Sequence, residues 1–452
     1  MNRLLDLAAQ YARRYLDALP ERPVAPTHTA LAALEQLRGP LPEDPDDPAA
    51  VLERLDRLAS PATMAMAGPR FFGFVSGGSL PVALAANWLA GAWNQNSGYH
   101  HVTPATAVLE QVALDWLLEL LDLPRDCAGS FVTDATLANF TALAAARHAL
   151  LARAGWDVEA DGLFGAPPIT VVVGEEAHPT VLKALALLGL GRERLLRVPV
   201  DGQGRMRADA LPPLPERAIV CTQVGNVNTG ACDPVAAICD QAHASDAWVH
   251  VDGAFGLWAR AAPAHAHLLA GVEWADSWAV DAHKWLNVPY DSGLALVRDA
   301  AALRAAMAIS AAYLPGDSPH RNPADYTPEL SRRARGVEIW AVLATLGRSG
   351  VAALIERSCR QARRFAEVLG GAGYRILNEV VLNQVLVSFG DDDTTRRVIA
   401  AIQEDGTAWC SGTLWQGHTA MRISVCCWAT RDEDVERSLA SMLRLAAQAR
   451  AR

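Results

Sequence analysis

The stretch Trp278-Ala279-Val280-Asp281-Ala282-His283-Lys284-Trp285 reads as a short apolar strand that runs directly into ionisable side chains. A strand this apolar on consecutive positions belongs in a parallel sheet buried on both faces. Ligands of such sheets bind beyond the carboxyl ends of the strands. The Asp, His and Lys at this end are therefore candidates for chemistry. Lys284 stands out because desolvation at a strand end lowers a lysine pKa and frees an amine nucleophile. Alone, the run is equally an ordinary solvated loop, so its neighbours have to decide.

Outward from it, three more strand ends carry polar groups. Trp248 to Asp252 is followed by Gly253-Ala254-Phe255-Gly256, Ala218 to Thr222 by Gly225-Asn226-Val227-Asn228, and Ile169 to Val173 by Glu175-Glu176-Ala177-His178. Helical patterns at Ala135 to Ala152, Thr180 to Leu188 and Asp233 to Ala244 alternate with these strands. The alternation predicts an α/β unit with a mostly parallel sheet covered on both faces. Asp252 followed by small residues leaves room for a flat ligand against backbone; it reads also as a helix cap or turn former. Asn226 reads equally as a turn-stabilising loop residue.

The flanks differ. Residues 1–85 combine a helical pattern (Leu4, Leu5, Ala8, Tyr11, Tyr15, Leu16) with repeated prolines, an arm with little core of its own. Residues 86–345 form the alternating unit. Residues 346–452 read as a smaller α+β domain, with a strand expected over Met421 to Trp428. The 452 residues are too many for one ordinary domain. A formal charge of -10 argues against a general nucleic-acid binder and against steering to an anionic membrane. The eight cysteines form no CxxC pair and read as free buried thiols. The start Met1-Asn2-Arg3-Leu4-Leu5-Asp6 lacks the apolar core of a signal peptide, so a cytoplasmic location is expected. The cluster Asn94, Gln95, Asn96, Tyr99, His100 and His101 lacks the cysteine or carboxylate that would complete a metal site, and none is expected.

In this order the strand ends resemble the group II amino-acid decarboxylases, fold-type-I enzymes that use pyridoxal 5'-phosphate. The resemblance runs over roughly 55–435, and the histidine-lysine-tryptophan run His283-Lys284-Trp285 is its most specific part. Arg70-Phe71-Phe72-Gly73-Phe74, Phe131 to Asn139, His250-Val251-Asp252-Gly253-Ala254 and Ser331-Arg332-Arg333 extend it. It implies a mostly parallel seven-stranded sheet in the large domain, a small C-terminal α+β domain, and an N-terminal helical arm packed on the partner of a homodimer with shared active sites.

By the same resemblance, Lys284 would carry the cofactor aldehyde, and Asp252 would keep its ring nitrogen protonated. Ala254 would lie beneath the ring, His178 would stack on its other face, and His283 would sit near the phosphate or the lysine edge. Asn226 would border the cofactor oxygen or the substrate carboxylate. Thr133, Ala135 and Thr136 would cradle the phosphate at a helix start. Asp134 replaces the family's usual glycine there. Its carboxylate either repels the phosphate or turns away to cap the helix. Phe72, Phe74, Asn96, Tyr99 and Arg422 would face the substrate, leaning toward an aromatic or apolar side chain. Between Tyr313 and Arg333 the family has a mobile loop whose tyrosine protonates the substrate α-carbon; Tyr326 is the first match and Tyr313 the second. Decarboxylation of an L-amino acid is the implied reaction. An aminotransferase, an aldolase, an aldehyde synthase or a catalytically silent relative are the rivals on the same scaffold.

Overall fold

The computed structural model describes residues 2–309 and 319–450. Its large sheet contains β1 (Ala128–Val132), β2 (Thr170–Gly174), β3 (Leu196–Val198), β4 (Ala218–Gln223), β5 (Trp248–Asp252), β6 (Ser277–Asp281) and β7 (Gly293–Val297). The strands lie in the order β1-β7-β6-β5-β4-β2-β3. β7 runs antiparallel to both β1 and β6, and the remaining pairs are parallel. The carboxyl ends of β1, β2, β4, β5 and β6 therefore share one edge with the start of β7. This is the mostly parallel seven-stranded sheet that the sequence predicts.

β1, β4, β5, β6 and β7 are buried at every position. Both faces are covered, which explains the absence of apolar/polar alternation in their sequences. The Ala135–Arg153 helix lies on one face, where Ala142, Ala145, Ala146 and Ala149 share a core cluster with Val171, Ile219 and Trp248. Small side chains let this helix approach the sheet closely. Its first turn meets the start of β7 almost backbone to backbone. A Cβ on Gly293 would stand 2.7 Å from the Asp134 carbonyl carbon, so only glycine fits there.

The chain divides into two compact units. One, Ser79–Ala362 with Asn378–Gln384, carries the large sheet; the other comprises Met1–Gly78, Arg363–Leu377 and Val385–Arg452. In the second unit the N-terminal helices Asn2–Ala18 and Pro48–Ala59 fold with the C-terminal segment. The Val24 amide donates to the Gly406 carbonyl at 2.8 Å. The buried Arg70 guanidinium donates to the carbonyls of Thr407 (2.7 Å), Arg22 (3.3 Å) and Pro20. The expected strand over Met421 to Trp428 is present but lies earlier, at His418–Ser424, and it is the second arm of a hairpin whose first arm was not expected. β8 (Arg375–Ile376) and β9 (Gln384–Ser388) are joined in a second sheet by β10 (Ser411–Trp415) and β11 (His418–Ser424). Gln416 and Gly417 connect β10 to β11, both with positive φ (46° and 80°), the two-residue turn that suits strand twist.

Candidate active site

Lys284 follows β6 by three residues, and its side chain is largely buried. Its Nζ lies 2.8 Å from Asp281 Oδ2. Burial alone lowers the pKa of this ammonium. The Asp281 carboxylate, with Asp252 and Tyr290 adding to it, outweighs burial, and the net direction is upward. This corrects the expectation that desolvation frees the amine: within the protein, Lys284 is held as an ammonium by a counter-ion three residues away. Burial also lowers the pKa of His283, against the opposing pull of Asp281. Its Nδ1 accepts from the Ser292 amide (3.2 Å), and its ring stacks on Tyr290 at 4.3 Å.

Asp281 reaches further. Its Oδ1 accepts from the Ala135 amide at 2.6 Å, joining the end of β6 to the first turn of the Ala135–Arg153 helix. At that helix start Asp134 is the N-cap. Its carboxylate accepts from the Leu137 amide (3.0 Å), the Thr136 hydroxyl (2.9 Å) and the Thr133 hydroxyl (3.3 Å). The structure shows Asp134 as the helix cap, with its carboxylate still held on the Thr133 and Thr136 hydroxyls. First-turn amides have no helical acceptor, so a carboxylate there is stabilising.

Asp252 ends β5, one strand from β6, and is 5% exposed. Its Oδ1 accepts from the amide of Ala254, which is half-buried. Asp252 lines a small cavity together with His178, Gln223 and Asp233. His178 is the N-cap of the Pro179–Leu187 helix, its Nδ1 accepting from the Thr180 amide. Asn226 is buried and bends its own loop: Oδ1 accepts from the amides of Asn228 and Thr229, and Nδ2 donates to Glu176 at 3.2 Å. An amine, two carboxylates, an imidazole and a helix N-terminus thus converge on the sheet edge that the sequence singled out.

A family model described as the pyridoxal-dependent decarboxylase conserved domain matches residues 32–389. The chain belongs to the pyridoxal-dependent decarboxylases. Tryptophan decarboxylase 1 of Oryza sativa subsp. japonica is 27% identical over 93% of this chain and 88% of its own length. L-2,4-diaminobutyrate decarboxylase of Rhizobium meliloti (strain 1021) is 30% identical over 85% and 79%. Among solved structures, that of Oryza sativa TDC with PLP and tryptamine superposes with a TM-score of 0.91 at 24% identity, covering 99% of this chain and 97% of that one. The chain thus has the fold-type-I architecture, and its chemistry is of the pyridoxal-phosphate decarboxylation type.

The side chains present fit that cofactor. Lys284 supplies an amine, Asp252 a buried carboxylate, Ala254 a methyl-sized floor, and Ala135 and Thr136 an amide and a hydroxyl at a helix N-terminus. The departure lies in charge, since Asp281 and Asp134 both place carboxylate oxygens on the donors that would hold a phosphate there.

The remaining expected site residues are dispersed. Asn96 Oδ1 accepts from the Arg332 amide (2.9 Å), and Tyr99 is half-buried with its ring 6.3 Å from that of His101. Phe72, Phe74 and Arg422 lie in the other compact unit. Phe72 is fully buried edge-on to Phe365, Phe74 is 58% exposed beside Trp409, and Arg422 is a buried residue of β11. Tyr326 closes a short turn, Pro323–Tyr326, with its ring against the core cluster of the large sheet and the Arg321 guanidinium 4.4 Å above it. It is a packed ring, not a loop tip. Tyr313 lies outside the described residues.

Two buried carboxylates escaped the sequence reading. Glu110, 1% exposed, holds Arg332 (2.6 Å) and Arg321 (3.3 Å), while Arg332 also donates to the carbonyls of Ser97 and Phe131. Asp233 accepts from the Met206 and Gln223 amides and the Thr222 hydroxyl, and burial pushes its pKa up to about 6. A lone acid in an apolar helical pattern was the available signal for Glu110. Asp233 gave none beyond its place after Cys232.

Proposed function

We propose that this chain decarboxylates an L-amino acid with an aromatic or apolar side chain, releasing carbon dioxide and the amine, as a cytoplasmic homodimer. The observation that carries the reading is the buried Lys284 amine beside Asp281, one strand from the buried Asp252, in a chain of this family. Pyridoxal phosphate, when bound, supplies a sink for the electron pair left when a bond to the substrate α-carbon breaks. Lys284 binds the cofactor and must first give up the proton that Asp281 stabilises on it. Asp252 holds the ring-nitrogen proton from its buried position. His178 and Ala254 bound the two faces of the ring, and Asn226 orients polar groups at its edge. Ala135 and Thr136 hold the phosphate, with Thr133 and His283 beside them.

The aromatic or apolar preference is supported by relatives such as tryptophan decarboxylase 1 of Oryza sativa, and Asn96 and Tyr99 are the proposed substrate contacts in the unit that carries the large sheet. The hydroxyl that returns a proton to the α-carbon is proposed to be Tyr313 or Tyr326. The engaged ring of Tyr326 favours Tyr313. A second copy of the chain would cover the exposed Trp88, Leu89 and Trp93.

The test is a mass-spectrometric screen of the pyridoxal-phosphate-loaded protein against pooled amino acids, with headspace carbon dioxide recorded. Loss of carbon dioxide from one substrate, matched by gas and abolished in Lys284→Ala, is the expected result. Conversion without gas would replace the proposal with transamination or retro-aldol cleavage, and an aldehyde formed with gas and consumed dioxygen would indicate an aldehyde synthase.

A further inference from the structure

We infer that His178 is held as a neutral ring, its proton on Nε2, by a directed hydrogen-bond chain that starts in the core at Trp248. Asn139 and Thr180 are thereby positioning residues for it. The functional meaning of the inference rests on the placement of His178 at the cofactor face proposed above.

The chain takes its direction from its Thr180 end, and the Trp248 end is compatible with that direction. The indole nitrogen of Trp248 can only donate, and it does so to Ser277 Oγ at 2.8 Å. Ser277 Oγ lies 2.9 Å from His250 Nδ1 and can donate its proton to it. His250 then bears its proton on Nε2 and donates to Asn139 Oδ1 at 2.8 Å. The Asn139 amide donates to Thr180 Oγ1 at 3.3 Å, and Thr180 Oγ1 stands 2.8 Å from His178 Nδ1. From the other end, the Thr180 backbone amide also points at His178 Nδ1, at 3.3 Å. A backbone N–H can only donate, so Nδ1 is an acceptor and the Thr180 hydroxyl donates to it as well. The Thr180 end thus assigns the donor of every link back to Ser277, Trp248 donating to Ser277 is compatible with it, and the middle is sealed from water: Asn139, His250 and Ser277 are each 0% exposed. Full burial lowers the His250 pKa to about 3, which keeps that link neutral.

The chain works against its surroundings. Asp252 and Asp233 line the same cavity as His178, and Glu176 lies two residues before it on the same loop. These carboxylates favour an imidazolium. Among the described residues the cavity lining includes no lysine or arginine, and Lys284 is paired with Asp281, with Asp252 as a further nearby charge. Lys183 follows on the helix that His178 caps, and Arg147, His148 and Arg153 sit two or more turns beyond Asn139 on the packed Ala135–Arg153 helix. Two hydrogen bonds into Nδ1 exclude a proton there, so the ring facing the cofactor is a fixed Nε2–H donor and does not become a second cation beside Lys284.

The experiment is nitrogen NMR of the full-length protein labelled on histidine, with and without pyridoxal phosphate, with the His178 signals assigned by their loss in His178→Gln. The expected wild-type spectrum shows an unprotonated Nδ1 and a protonated Nε2 between about pH 6 and 8. Thr180→Val removes the hydroxyl link and should raise the midpoint of His178 protonation by about 0.5 to 1 pH unit. Asn139→Asp, nearly the same shape, draws the Thr180 hydroxyl proton away from Nδ1 and should shift it in the same direction. Thr180→Ser should restore the wild-type midpoint. An Nδ1–H tautomer or an imidazolium in the wild type at neutral pH would overturn the inference, as would unchanged midpoints in both Thr180→Val and Asn139→Asp. The tautomer is read without cofactor too, so failure to bind pyridoxal phosphate would show separately, as the absence of its lysine-bound absorbance.

Discussion

Replacing Asp281 with Asn isolates the charge that holds Lys284 protonated. The amide keeps an oxygen for the Ala135 N–H and removes the carboxylate 2.8 Å from Nζ. Stripping one partner from a buried ion pair costs about 3–5 kcal/mol. Lysine has an escape, because it can shed its proton. For a lysine with an unfolded pKa near 10.4, deprotonation costs about 4 kcal/mol at pH 7.5 and about 1 kcal/mol at pH 9.5. The sign follows from proton counting. In the wild type the folded pKa of Lys284 is raised, so its contribution is fully present below the unfolded value and is lost only as pH climbs through the folded one. In Asp281→Asn the folded state binds fewer protons than the unfolded state across this range, so the variant gains stability as pH rises. Denaturant unfolding at about pH 7.5 and about pH 9.5 should therefore show the gap to wild type narrowing by about 2–3 kcal/mol. A gap that stays constant between the two conditions would refute the argument that Asp281 sets the charge on Lys284.

Glu110→Gln leaves Arg332 and Arg321 without their buried carboxylate and should cost about 3–5 kcal/mol. A melting temperature within about 2 °C of wild type would contradict this. Asp134→Ala should lose about 1 kcal/mol with the helix cap, whereas Asp134→Asn keeps the cap. Both should retain pyridoxal phosphate more tightly on dialysis, and unchanged retention would show that the carboxylate does not repel the phosphate. Tyr326→Phe keeps the ring beneath Arg321 and should leave turnover near wild type, while Tyr313→Phe should slow product release of the proton-bearing amine. The opposite pair of results would return the proton-donor role to Tyr326.

The strands, their burial on both faces and the polar groups at their carboxyl ends were legible in the sequence, because a parallel sheet writes its interior as continuous apolar runs. Lys284, Asp252 and the helix start at Asp134 followed from the same reading. The β10–β11 hairpin was missed because Gln416-Gly417 is a weaker turn signal than Asn-Gly, and the strand before it is only partly apolar. Tyr326 was misplaced on a loop because a proline-bearing polar segment gives no sign of which ring will find a cation and a core to pack on.

The sequence alone thus singled out Lys284, Asp252 and their strand-end neighbours as candidates for chemistry. Their charge states were decided only by the tertiary structure. Lys284 shows why: local sequence supplies the desolvation that pushes a lysine pKa down, but not the orientation of the Asp281 carboxylate that pushes it back up. The same carboxylate reaches Ala135, 146 positions away along the chain, and Glu110 meets Arg332 across 222. Electrostatic and hydrogen-bond energies fall off with distance in space, not with separation in sequence, so the protonation of this site exists only once the strands have brought those groups together.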